Sequence, residues 1–318
     1  MNIVIAGPGA LGSLLSARLF FLQKDRKRNG NDIFSLHLLD YREDRTRYLQ
    51  DNGLFLEENG REILSTPHVT CDAGICADCD VLFLCVKSIA VPQSLERITP
   101  FLSGQSVLLA MQNGIGHLRT LEKVSSPTGV GITSEGATLV QPGYVRHGGR
   151  GITRLGMLTG HSGRSLEILR QTADILDAAG VQAEVTDSPL KYVWAKLFIN
   201  VGINALTAIH GCRNGELLDK PEIKVTMEKA VREAEQVARK KGIQIDADPV
   251  VATFSVCRTT AENTSSMLQD VQKRRLTEID AINGAIVAEG EALGIPTPVN
   301  IELVRRVKEL ESSYSQTF

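Results

Sequence analysis

A lysine and two asparagines lie at a spacing that would bring them together on one face of a helix. Lys196, Asn200 and Asn204 follow one another at intervals of four residues, so their side chains would stack along one helical face. The surrounding segment 193–206 is otherwise apolar nearly all round, which predicts a buried helix. A buried ammonium or carboxamide is costly without a partner. The pattern therefore indicates either a bound polar substrate, or a carboxylate for the lysine and neighbouring helices for the asparagines.

A glycine-rich segment follows the first apolar run of the chain. Residues 2–6 enter the sequence Gly7-Pro8-Gly9-Ala10-Leu11-Gly12, and an amphipathic helical pattern continues to about residue 23. This is the G-x-G-x-x-G pattern between a strand and a helix. In that setting backbone N–H groups and the helix N-terminus can approach a pyrophosphate closely. We predict that residues 7–12 bind a dinucleotide.

The end of the second predicted strand gives mixed indications about the dinucleotide. A charged segment at 24–32, which we interpret as a solvated loop, precedes the strand 34–39. Asp40 follows that strand and would accept hydrogen bonds from the adenosine ribose of NAD. Arg42 and Arg45 could instead hold the 2′-phosphate of NADP. NAD therefore stays open beside NADP.

Strand-like and helix-like segments alternate through the rest of the first half. The strand-like runs are 54–57, 81–86, 106–111, 128–133 and 152–158, and the helix-like segments are 41–51, 91–102 and 115–124. A helix at 164–180 and a strand at 181–185 would close a wound α/β sheet.

Two polar side chains follow strands of this predicted sheet. Lys87 comes after the run 81–86 and Asn113 after 106–111, at the carboxyl ends that face the ligand crevice of an open parallel sheet. Lys87 is a candidate neighbour of the cofactor, and Asn113 of its nicotinamide. The alternatives are a surface lysine and an ordinary Asn-Gly turn.

The second half has a different character. From residue 190 onward the apolar pattern is helical, with breaks at residues 211, 221, 242–243, 248–249 and 294–298. The fold class predicted is therefore α/β with an N-terminal Rossmann-type dinucleotide-binding domain, followed by an all-α C-terminal domain. We divide the chain into a dinucleotide-binding domain at 1–187 and a substrate and catalytic domain at 188–318.

Composition restricts the partners and the location. The 318 residues include 42% hydrophobic residues and carry a net charge of −2, which offers no bulk attraction for nucleic acid or an anionic membrane. No apolar run reaches the about 18 residues needed to span a membrane. Met1 leads into the first strand without the pattern of a signal peptide. We expect a cytoplasmic protein.

The cysteines require a choice between a metal cluster and free thiols. Cys71, Cys76 and Cys79 have the C-x4-C-x2-C spacing of a plant-type iron–sulfur loop. However, Cys85 lies inside a predicted buried strand, and the next cysteine, Cys212, belongs to a distant segment. The histidines show no metal-ligand spacing. We expect free thiols and no metal site.

Two stretches of the second half, taken with the features above, resemble the ketopantoate reductase (2-dehydropantoate 2-reductase) family. They are Trp194–Leu197 continuing through Asn200 and Asn204 to Asn214–Leu217, and Asn263–Asp270 continuing to Thr277–Gly284 and Gly294–Pro298. With the glycine segment, Lys87 and Asn113, the similarity spans nearly the whole chain. It implies NADPH-dependent reduction of the 2-oxo group of ketopantoate to (R)-pantoate, on the route to pantothenate.

The resemblance also implies roles for individual residues. Lys196 would protonate the carbonyl oxygen as hydride arrives, with Glu278 as the second catalytic residue. The substrate-binding residues implied are Asn113, Lys196, Asn200, Asn204, Asn214 and Ser266. The cofactor-binding residues implied are Gly7, Pro8, Gly9, Ala10, Leu11, Gly12, Lys87, Asn113, Glu278 and Ala137, the last in a turn at 134–137.

The chemistry of a 2-oxo acid agrees with these roles. Ser266 and Gln269 have the spacing of a capping box, so Ser266 would begin a helix whose N–H groups could hold a carboxylate. Burial would lower the pKa of Lys196 towards neutrality, whereas Glu278 alongside would raise it. The alternatives are a plain N-cap for Ser266 and an ion-paired surface position for Glu278.

The spacing of Ser266 and Glu278 predicts a break in the chain. The two residues are twelve positions apart, or about 18 Å on a straight helix. Both cannot flank one small substrate unless the helix ends between them, so we predict a kink or two helices near 273–277.

Other functions are compatible with parts of this pattern. One is a sister reductase that acts on another branched 2-oxo acid. Another is a dinucleotide-sensing protein without chemistry, although the presence of Lys196, Asn200, Asn204 and Glu278 together argues against it. The apolar helices of the second half are compatible with a homodimer.

Overall fold

The computed structural model describes residues 1–30 and 34–316, which form two units. The first unit comprises Met1–Gln112 and Leu118–Pro189, and the second comprises Asn113–His117 and Leu190–Phe318. The expected division at residue 187 would place the short segment Asn113–His117 in the first domain, whereas the structure assigns it to the second unit.

The first unit contains both strands and helices. Its strands are β1 (Asn2–Ala6), β2 (Ser35–Leu39), β3 (Leu54–Glu58), β4 (Arg61–Ser65), β5 (His68–Thr70), β6 (Val81–Leu84), β7 (Val107–Ala110), β8 (Thr128–Thr133), β9 (Gly136–Gln141), β10 (Tyr144–Gly149), β11 (Thr153–Met157) and β12 (Ala183–Val185). Its helices are α1 (Ala10–Arg28), α2 (Glu43–Asn52), α3 (Val91–Ile98), α4 (Leu118–Leu121) and α5 (Gly163–Ala178), with 3-10 turns at Ala73–Cys76 and Ser88–Ala90.

The main sheet has eight strands in the order β12-β11-β8-β7-β6-β1-β2-β5. The neighbouring strands β8, β7, β6, β1, β2 and β5 are all parallel to one another. Strand β11 lies on the other side of β8 and is antiparallel to it. Every residue of β6 and β7 is buried, as expected for apolar parallel strands covered on both faces. The order reverses between β1 and β6, which is the position of the ligand crevice in a doubly wound fold. The predicted Rossmann-type architecture is confirmed.

A second sheet was not anticipated. It has four strands in the order β4-β3-β10-β9, so assigning 54–57 to the wound sheet was wrong. Strands β3 and β4 form a hairpin whose turn residues, Asn59 and Gly60, both have positive φ, 52° and 74°. An Asn-Gly pair of this conformation is the preferred two-residue hairpin turn, and it pairs β3 with β4 rather than with the main sheet.

Two segments of the first half differ from the expected elements. Helix α1 continues to Arg28, so the charged segment begins as exposed helix and not as a loop; its residues 31–33 lie outside the described residues. The basic residues 26–28 occupy the last turn of α1, where cations favour the helix dipole. The helix expected at 115–124 is reduced to α4, because Asn113–His117 belongs to the other unit.

The second unit is helical in every described element from residue 190 onward, as predicted. Its helices are α6 (Pro189–His210), α7 (Pro221–Lys240), α8 (Pro249–Thr259), α9 (Ser266–Gln272), α10 (Asn283–Leu293) and α11 (Pro298–Ser312), with 3-10 turns at Gly215–Leu218, Ile279–Ala281 and Ser313–Gln316. The predicted breaks coincide with helix ends. Prolines begin α7, α8 and α11, and Gly294 ends α10 in the left-handed conformation.

Helix α6 is the long apolar helix around Lys196. Among the described residues it is the one helix that is long and apolar enough to cross a membrane by length and composition, whereas no apolar segment of that length was expected from the sequence. In its most apolar 18-residue window, 61% of residues are buried inside the protein. Trp194, Leu197 and Val201 are almost completely buried. This burial is typical of a core helix.

Candidate functional site

The glycine segment joins β1 to α1 at the reversal point of the main sheet. Gly7 has a φ of 105°, and a Cβ there would lie 2.8 Å from Val86 Cγ1 and 2.9 Å from Val86 N. A Cβ on Gly12 would lie 2.0 Å from Gly7 O. These two glycines are therefore required by the turn and by the close approach of α1 to the strand ends.

Gly9 is not required by the fold in this way. A Cβ on Gly9 would come no closer than 3.6 Å to a neighbouring atom, Cys85 O, which is ordinary van der Waals distance. Gly9 is also the N-cap of α1 without a side-chain cap, and the first turn of α1 carries no acidic residue. The segment thus leaves open space and helix N–H groups beside a glycine, which fits a bound pyrophosphate.

This difference gives a matched pair of variants. We expect Gly12→Ala to lower the free energy of unfolding by about 2 kcal/mol or more, because the methyl group collides with backbone. We expect Gly9→Ala to keep wild-type stability but to weaken dinucleotide binding about tenfold. Denaturant unfolding and a fluorescence titration with the dinucleotide measure the two effects. Equal loss of stability in both variants would contradict a ligand-related role for Gly9.

Asp40 is buried and already paired. Its side chain is fully buried, and Arg45 makes a bidentate ion pair with it, with Nη2 to Oδ1 at 2.6 Å. The backbone N–H of Arg42 donates to the same carboxylate at 3.3 Å, while the Arg42 guanidinium pairs with Asp44. Asp40 therefore has two protein partners at the position where an NAD enzyme presents a carboxylate to the ribose.

A cleft opens beside Asp40 within the first unit. It contains about 440 Å³ of empty space, part of which is bulk solvent, and is lined by Ala6, Gly7, Leu39, Asp40, Tyr41, Cys71, Ala73, Val86, Gln93, Ser94, Arg97 and Ile98. The guanidinium carbons of Arg45 and Arg97 lie 5.7 and 5.8 Å from the centre of the Tyr41 ring, within the range of cation–π attraction. The sequence patterns did not identify Tyr41 or Arg97, since nothing in their spacing links α3 to the end of β2.

Lys87 lies at the carboxyl end of β6. It is half-buried, directly follows Val86 and precedes the 3-10 turn Ser88–Ala90. The side chain of Gln112 donates to the carbonyl groups of Leu84 and Val86, at 2.6 and 2.9 Å. Because these hydrogen bonds fix the end of β6, they hold the backbone that leads to Lys87 beside the glycine segment.

Ala137 lies in the second sheet. It was expected in a turn at 134–137, but residues from Gly136 onward form β9, and Ala137 pairs with His147 of β10. Ala137 is half-buried and packs against the hydrophobic core of the first unit. The turn was therefore wrong, because the β9–β10 pairing extends to Gly136; the cofactor contact of Ala137 stays a prediction.

Lys196, Glu278 and Asn113 belong to one electrostatic group in the second unit. Lys196 is half-buried on α6, and burial lowers the pKa of its ammonium to about 8, against the opposing effect of Glu278. Asn113 Nδ2 donates to Glu278 Oε2 at 3.0 Å. Burial therefore changes the pKa of Lys196 more than the Glu278 carboxylate does, and the sequence alone did not decide between these two effects. An amine of this pKa can be protonated at neutral pH and still release its proton readily.

The turn that carries Asn113 is attached to the segment after Glu278. The backbone N–H groups of Ile115 and Gly116 donate to Ala281 O, at 2.9 and 3.4 Å. A Cβ on Gly114 would lie 2.0 Å from that oxygen, and Gly114 has a φ of 78°. The Asn-Gly pair at 113–114 is thus a turn, and Gly114 allows the contact that keeps Asn113 within hydrogen-bonding distance of Glu278.

His117 completes this turn and was not predicted from the sequence. Its side chain is buried, and burial lowers its pKa to about 4, against the opposing effect of Glu278. The imidazole is therefore neutral at physiological pH. Among the described residues, its Nδ1 atom has no hydrogen-bond partner. A lone histidine four residues after Asn113 gave no distinguishing signal.

The predicted asparagines lie on and near α6. Asn200 and Asn204 lie on the same helix as Lys196, at the predicted spacing, half-buried and buried respectively. Asn214 lies just before the 3-10 turn Gly215–Leu218, where its Nδ2 donates to Thr260 Oγ1 at 2.9 Å. Its buried Oδ1 atom has no partner among the described residues. The helix is confirmed, and the substrate contacts stay predictions.

Ser266 does not cap α9. The N-cap is Ser265, whose hydroxyl accepts from the backbone N–H of Leu268 at 3.1 Å and lies 2.6 Å from Thr207 Oγ1 on α6. Gln269 Nε2 donates to Thr264 O and not to a serine. The predicted capping box was therefore wrong: the cap lies one residue earlier, at Ser265, and its N3 residue is Leu268, which cannot complete a capping box. Ser265 is buried against α6, so it takes the cap position, and Ser266 is exposed in the first turn of α9.

The predicted break between Ser266 and Glu278 is confirmed. Helix α9 ends at Gln272, and Arg274 adopts a φ of 49°. The 3-10 turn Ile279–Ala281 follows Glu278, and α10 begins only at Asn283.

Both halves of the chain match models of one protein family. Residues 3–160 match the model described as ketopantoate reductase PanE/ApbA, and residues 190–311 match its C-terminal counterpart. The 2-dehydropantoate 2-reductase of Halobacterium salinarum is 34% identical over 94% of this chain and 95% of its own length.

Solved structures give the same result. A PanE/ApbA family ketopantoate reductase from Ralstonia eutropha has a TM-score of 0.86 and 28% identity, with 99% of this chain and 100% of that chain covered. D-mandelate dehydrogenase, solved with NADH and anilino(oxo)acetate, has a TM-score of 0.88 and 28% identity over the same shares. The chain therefore belongs to the ketopantoate reductase family and is an oxidoreductase.

Proposed function

We propose that this protein is a cytoplasmic 2-dehydropantoate 2-reductase that uses NADPH to reduce ketopantoate to (R)-pantoate. The observation that carries the proposal is the group formed by Lys196, Glu278 and Asn113, in which burial brings the pKa of the lysine to about 8. A reductase of a 2-oxo acid needs a proton donor of this kind, because the carbonyl oxygen gains negative charge as its carbon is reduced.

The proposed chemistry divides between the cofactor and the side chains. The nicotinamide, when bound, supplies a hydride to the 2-oxo carbon. Lys196 Nζ donates the proton that the carbonyl oxygen takes up, and Glu278 favours the ammonium form of the lysine between turnovers. Asn113 holds Glu278 in position through its side-chain amide. The glycine segment and the first turn of α1 would hold the pyrophosphate.

Binding of substrate is assigned to polar side chains around α6. We propose that Asn200 and Asn204, on the same helical face as Lys196, donate to the oxygens of the substrate. Asn214 has a buried side-chain oxygen without a protein partner in the described part of the chain, which suits it to accept from a substrate hydroxyl. Ser266 is exposed in the first turn of α9, and its hydroxyl is available to the carboxylate.

The function is tested by substrate comparison. NADPH oxidation is measured with ketopantoate, with 2-oxoisovalerate and without substrate. The proposal predicts the highest kcat/KM for ketopantoate. Cofactor binding without turnover of any 2-oxo acid would instead favour a dinucleotide sensor.

A second function has one observation in its favour. The similar D-mandelate dehydrogenase was solved with a 2-oxo acid analogue that bears an aromatic group. A reductase of another branched or aromatic 2-oxo acid therefore remains the alternative within the same chemistry. Higher kcat/KM for 2-oxoisovalerate or phenylglyoxylate than for ketopantoate would select it.

The preference for NADPH is proposed from the charges around the cleft. The carboxylate of Asp40 is buried and neutralised by Arg45, so it is poorly suited to accept hydrogen bonds from a free ribose. Arg45 and Arg97 flank Tyr41 at the cleft, and guanidinium groups bind phosphate well. These residues fit a 2′-phosphate better than a ribose hydroxyl.

Arg97 provides the test of this preference, since it lines the cleft without pairing with Asp40. We expect Arg97→Leu to raise the KM for NADPH about 10- to 100-fold, the loss of one or two charge-assisted hydrogen bonds. The KM for NADH should change less than about threefold, because NADH lacks the phosphate. Steady-state kinetics with both cofactors measure the effect. Equal changes for NADPH and NADH would show that Arg97 does not recognise the phosphate.

A further inference from the structure

A chain of buried polar groups links four helices of the second unit. Asn283, at the start of α10, is completely buried. Its Nδ2 donates to the backbone carbonyl of Val201 on α6 at 3.2 Å and to Asn300 Oδ1 on α11 at 3.0 Å. Both hydrogens of the amide are therefore used, one on each neighbouring helix.

Asn300 is itself held by a buried carboxylate. Its Nδ2 donates to Glu233 Oε2 on α7 at 2.7 Å and to Ala230 O at 3.0 Å. Glu233 also accepts from the backbone N–H groups of Val299 and Asn300, at 2.9 and 3.0 Å. A carboxylate at the N-terminus of α11 is favoured by the free N–H groups and by the helix dipole. Asn300 therefore cannot move without breaking charge-assisted hydrogen bonds.

The anchored amide of Asn283 joins the two elements that carry the reactive pair. Val201 lies on α6, five residues after Lys196. Glu278 lies five residues before Asn283, and its backbone carbonyl accepts from the N–H groups of Ala281 and Ile282, at 3.0 and 3.1 Å. The segment 278–283 is thus a tight turn, and Asn283 ties this turn to the helix of Lys196.

The asparagine at position 283 makes these contacts at a cost. The Oδ1 atom of Asn283 is buried and has no partner among the described residues. An unsatisfied buried oxygen costs free energy. The hydrogen bonds that the Asn283 nitrogen makes to Val201 O on α6 and to Asn300 Oδ1 on α11 must offset this cost.

We propose that Asn283 is a positioning residue that fixes the separation of Lys196 and Glu278, and so the ease with which the lysine gives up its proton. The inference rests on the proposed function. Lys196 is affected by Glu278, and Glu278 also acts on the neutral His117. A change in the distance between α6 and the 278–283 turn would directly alter the interaction between Lys196 and Glu278.

The test is the pH dependence of kcat for Asn283→Leu, with Thr253→Val as the matched control. Thr253 is also completely buried in the second unit, and its hydroxyl donates only within α8, to Pro249 O at 2.8 Å. We expect Asn283→Leu to move the alkaline decline of kcat to lower pH by about half a unit, because the turn that carries Glu278 is no longer tied to the helix of Lys196 and the carboxylate supports the ammonium less. We also expect kcat to fall about tenfold, with the KM for NADPH unchanged within about twofold.

The Glu278→Gln variant sets an upper limit to the shift of the alkaline decline in Asn283→Leu. Glu278→Gln removes the carboxylate entirely, so the decline in Asn283→Leu should move towards that of Glu278→Gln and not beyond it. Thr253→Val should keep the wild-type profile even if its thermal stability falls.

The possible outcomes separate this inference from the proposed function. An unchanged pH profile in Asn283→Leu, with loss of stability alone, would overturn the positioning role. A wild-type enzyme without any alkaline decline would instead contradict the role of Lys196. Should Asn283→Leu fail to fold, Asn283→Ala is measured and interpreted in the same way, since it also removes the bond to Val201.

Discussion

Replacing Lys196 by methionine should reduce kcat by about 10²- to 10⁴-fold, the usual contribution of a general acid in the transition state. Methionine keeps most of the apolar stem but cannot donate a proton. NADPH binding should remain nearly intact, because the glycine segment and the Arg97 cleft lie in the first unit. Single-turnover kinetics and a binding titration measure the two effects.

The stability of this variant provides its control. The half-buried ammonium of Lys196 has a lowered pKa, so folding disfavours its charged form. The unfolded chain therefore binds more protons, and the wild-type protein gains stability as pH rises from about 8 towards the ordinary lysine value of about 10.4. Lys196→Met removes this cost and should be at least as stable as the wild type at neutral pH. A variant that loses both cofactor binding and stability would mean that the lysine is structural.

Replacing Arg45 by methionine should lower the free energy of unfolding by about 3 kcal/mol, because it leaves the buried carboxylate of Asp40 without its ion pair. The side chain of Arg45 is 21% exposed and that of Asp40 is 0% exposed, so solvent screens the pair little. The backbone N–H of Arg42 is too weak a partner, at 3.3 Å, to replace the guanidinium. Denaturant unfolding at neutral pH measures the loss.

A double variant separates the charge from the packing. Asp40→Asn/Arg45→Met removes the buried charge together with its partner and should recover at least half of the lost stability. No recovery would mean that Arg45 stabilises the fold through its aliphatic stem over Tyr41 and not through Asp40.

Much of the fold could be predicted because many of its elements have a local signal. The glycine segment after an apolar run predicted β1 and α1, and prolines or glycines marked the ends of the helices in the second half. The four-stranded sheet was missed although Asn59-Gly60 is a strong hairpin signal, because β3 was judged by its apolar character alone. Its pairing with β10, far along the chain, has no local signature.

Parts of the candidate site could be predicted where the relevant residues are close together in the sequence. Lys196, Asn200 and Asn204 share a face of α6, and the distance between Ser266 and Glu278 required a break. Contacts between distant segments were not predictable in this way. Ser265 takes the cap of α9 because of Thr207 on another helix.

The state of the charges was equally inaccessible from sequence. The position of Asp40 is typical of an NAD enzyme, but in the folded protein its carboxylate is paired with Arg45. The pKa of Lys196 depends on the balance between burial and Glu278, and that balance exists only in the folded protein.

The most direct measurement is the pH dependence of kcat for ketopantoate reduction in the wild type and in Glu278→Gln. With Lys196 as the proton donor, kcat should fall about tenfold per pH unit above a pKa of about 8. Glu278→Gln should move this decline to lower pH, because the carboxylate that favours the ammonium is gone. A wild-type kcat that stays constant from about pH 7 to about pH 10 would show that Lys196 does not donate the proton.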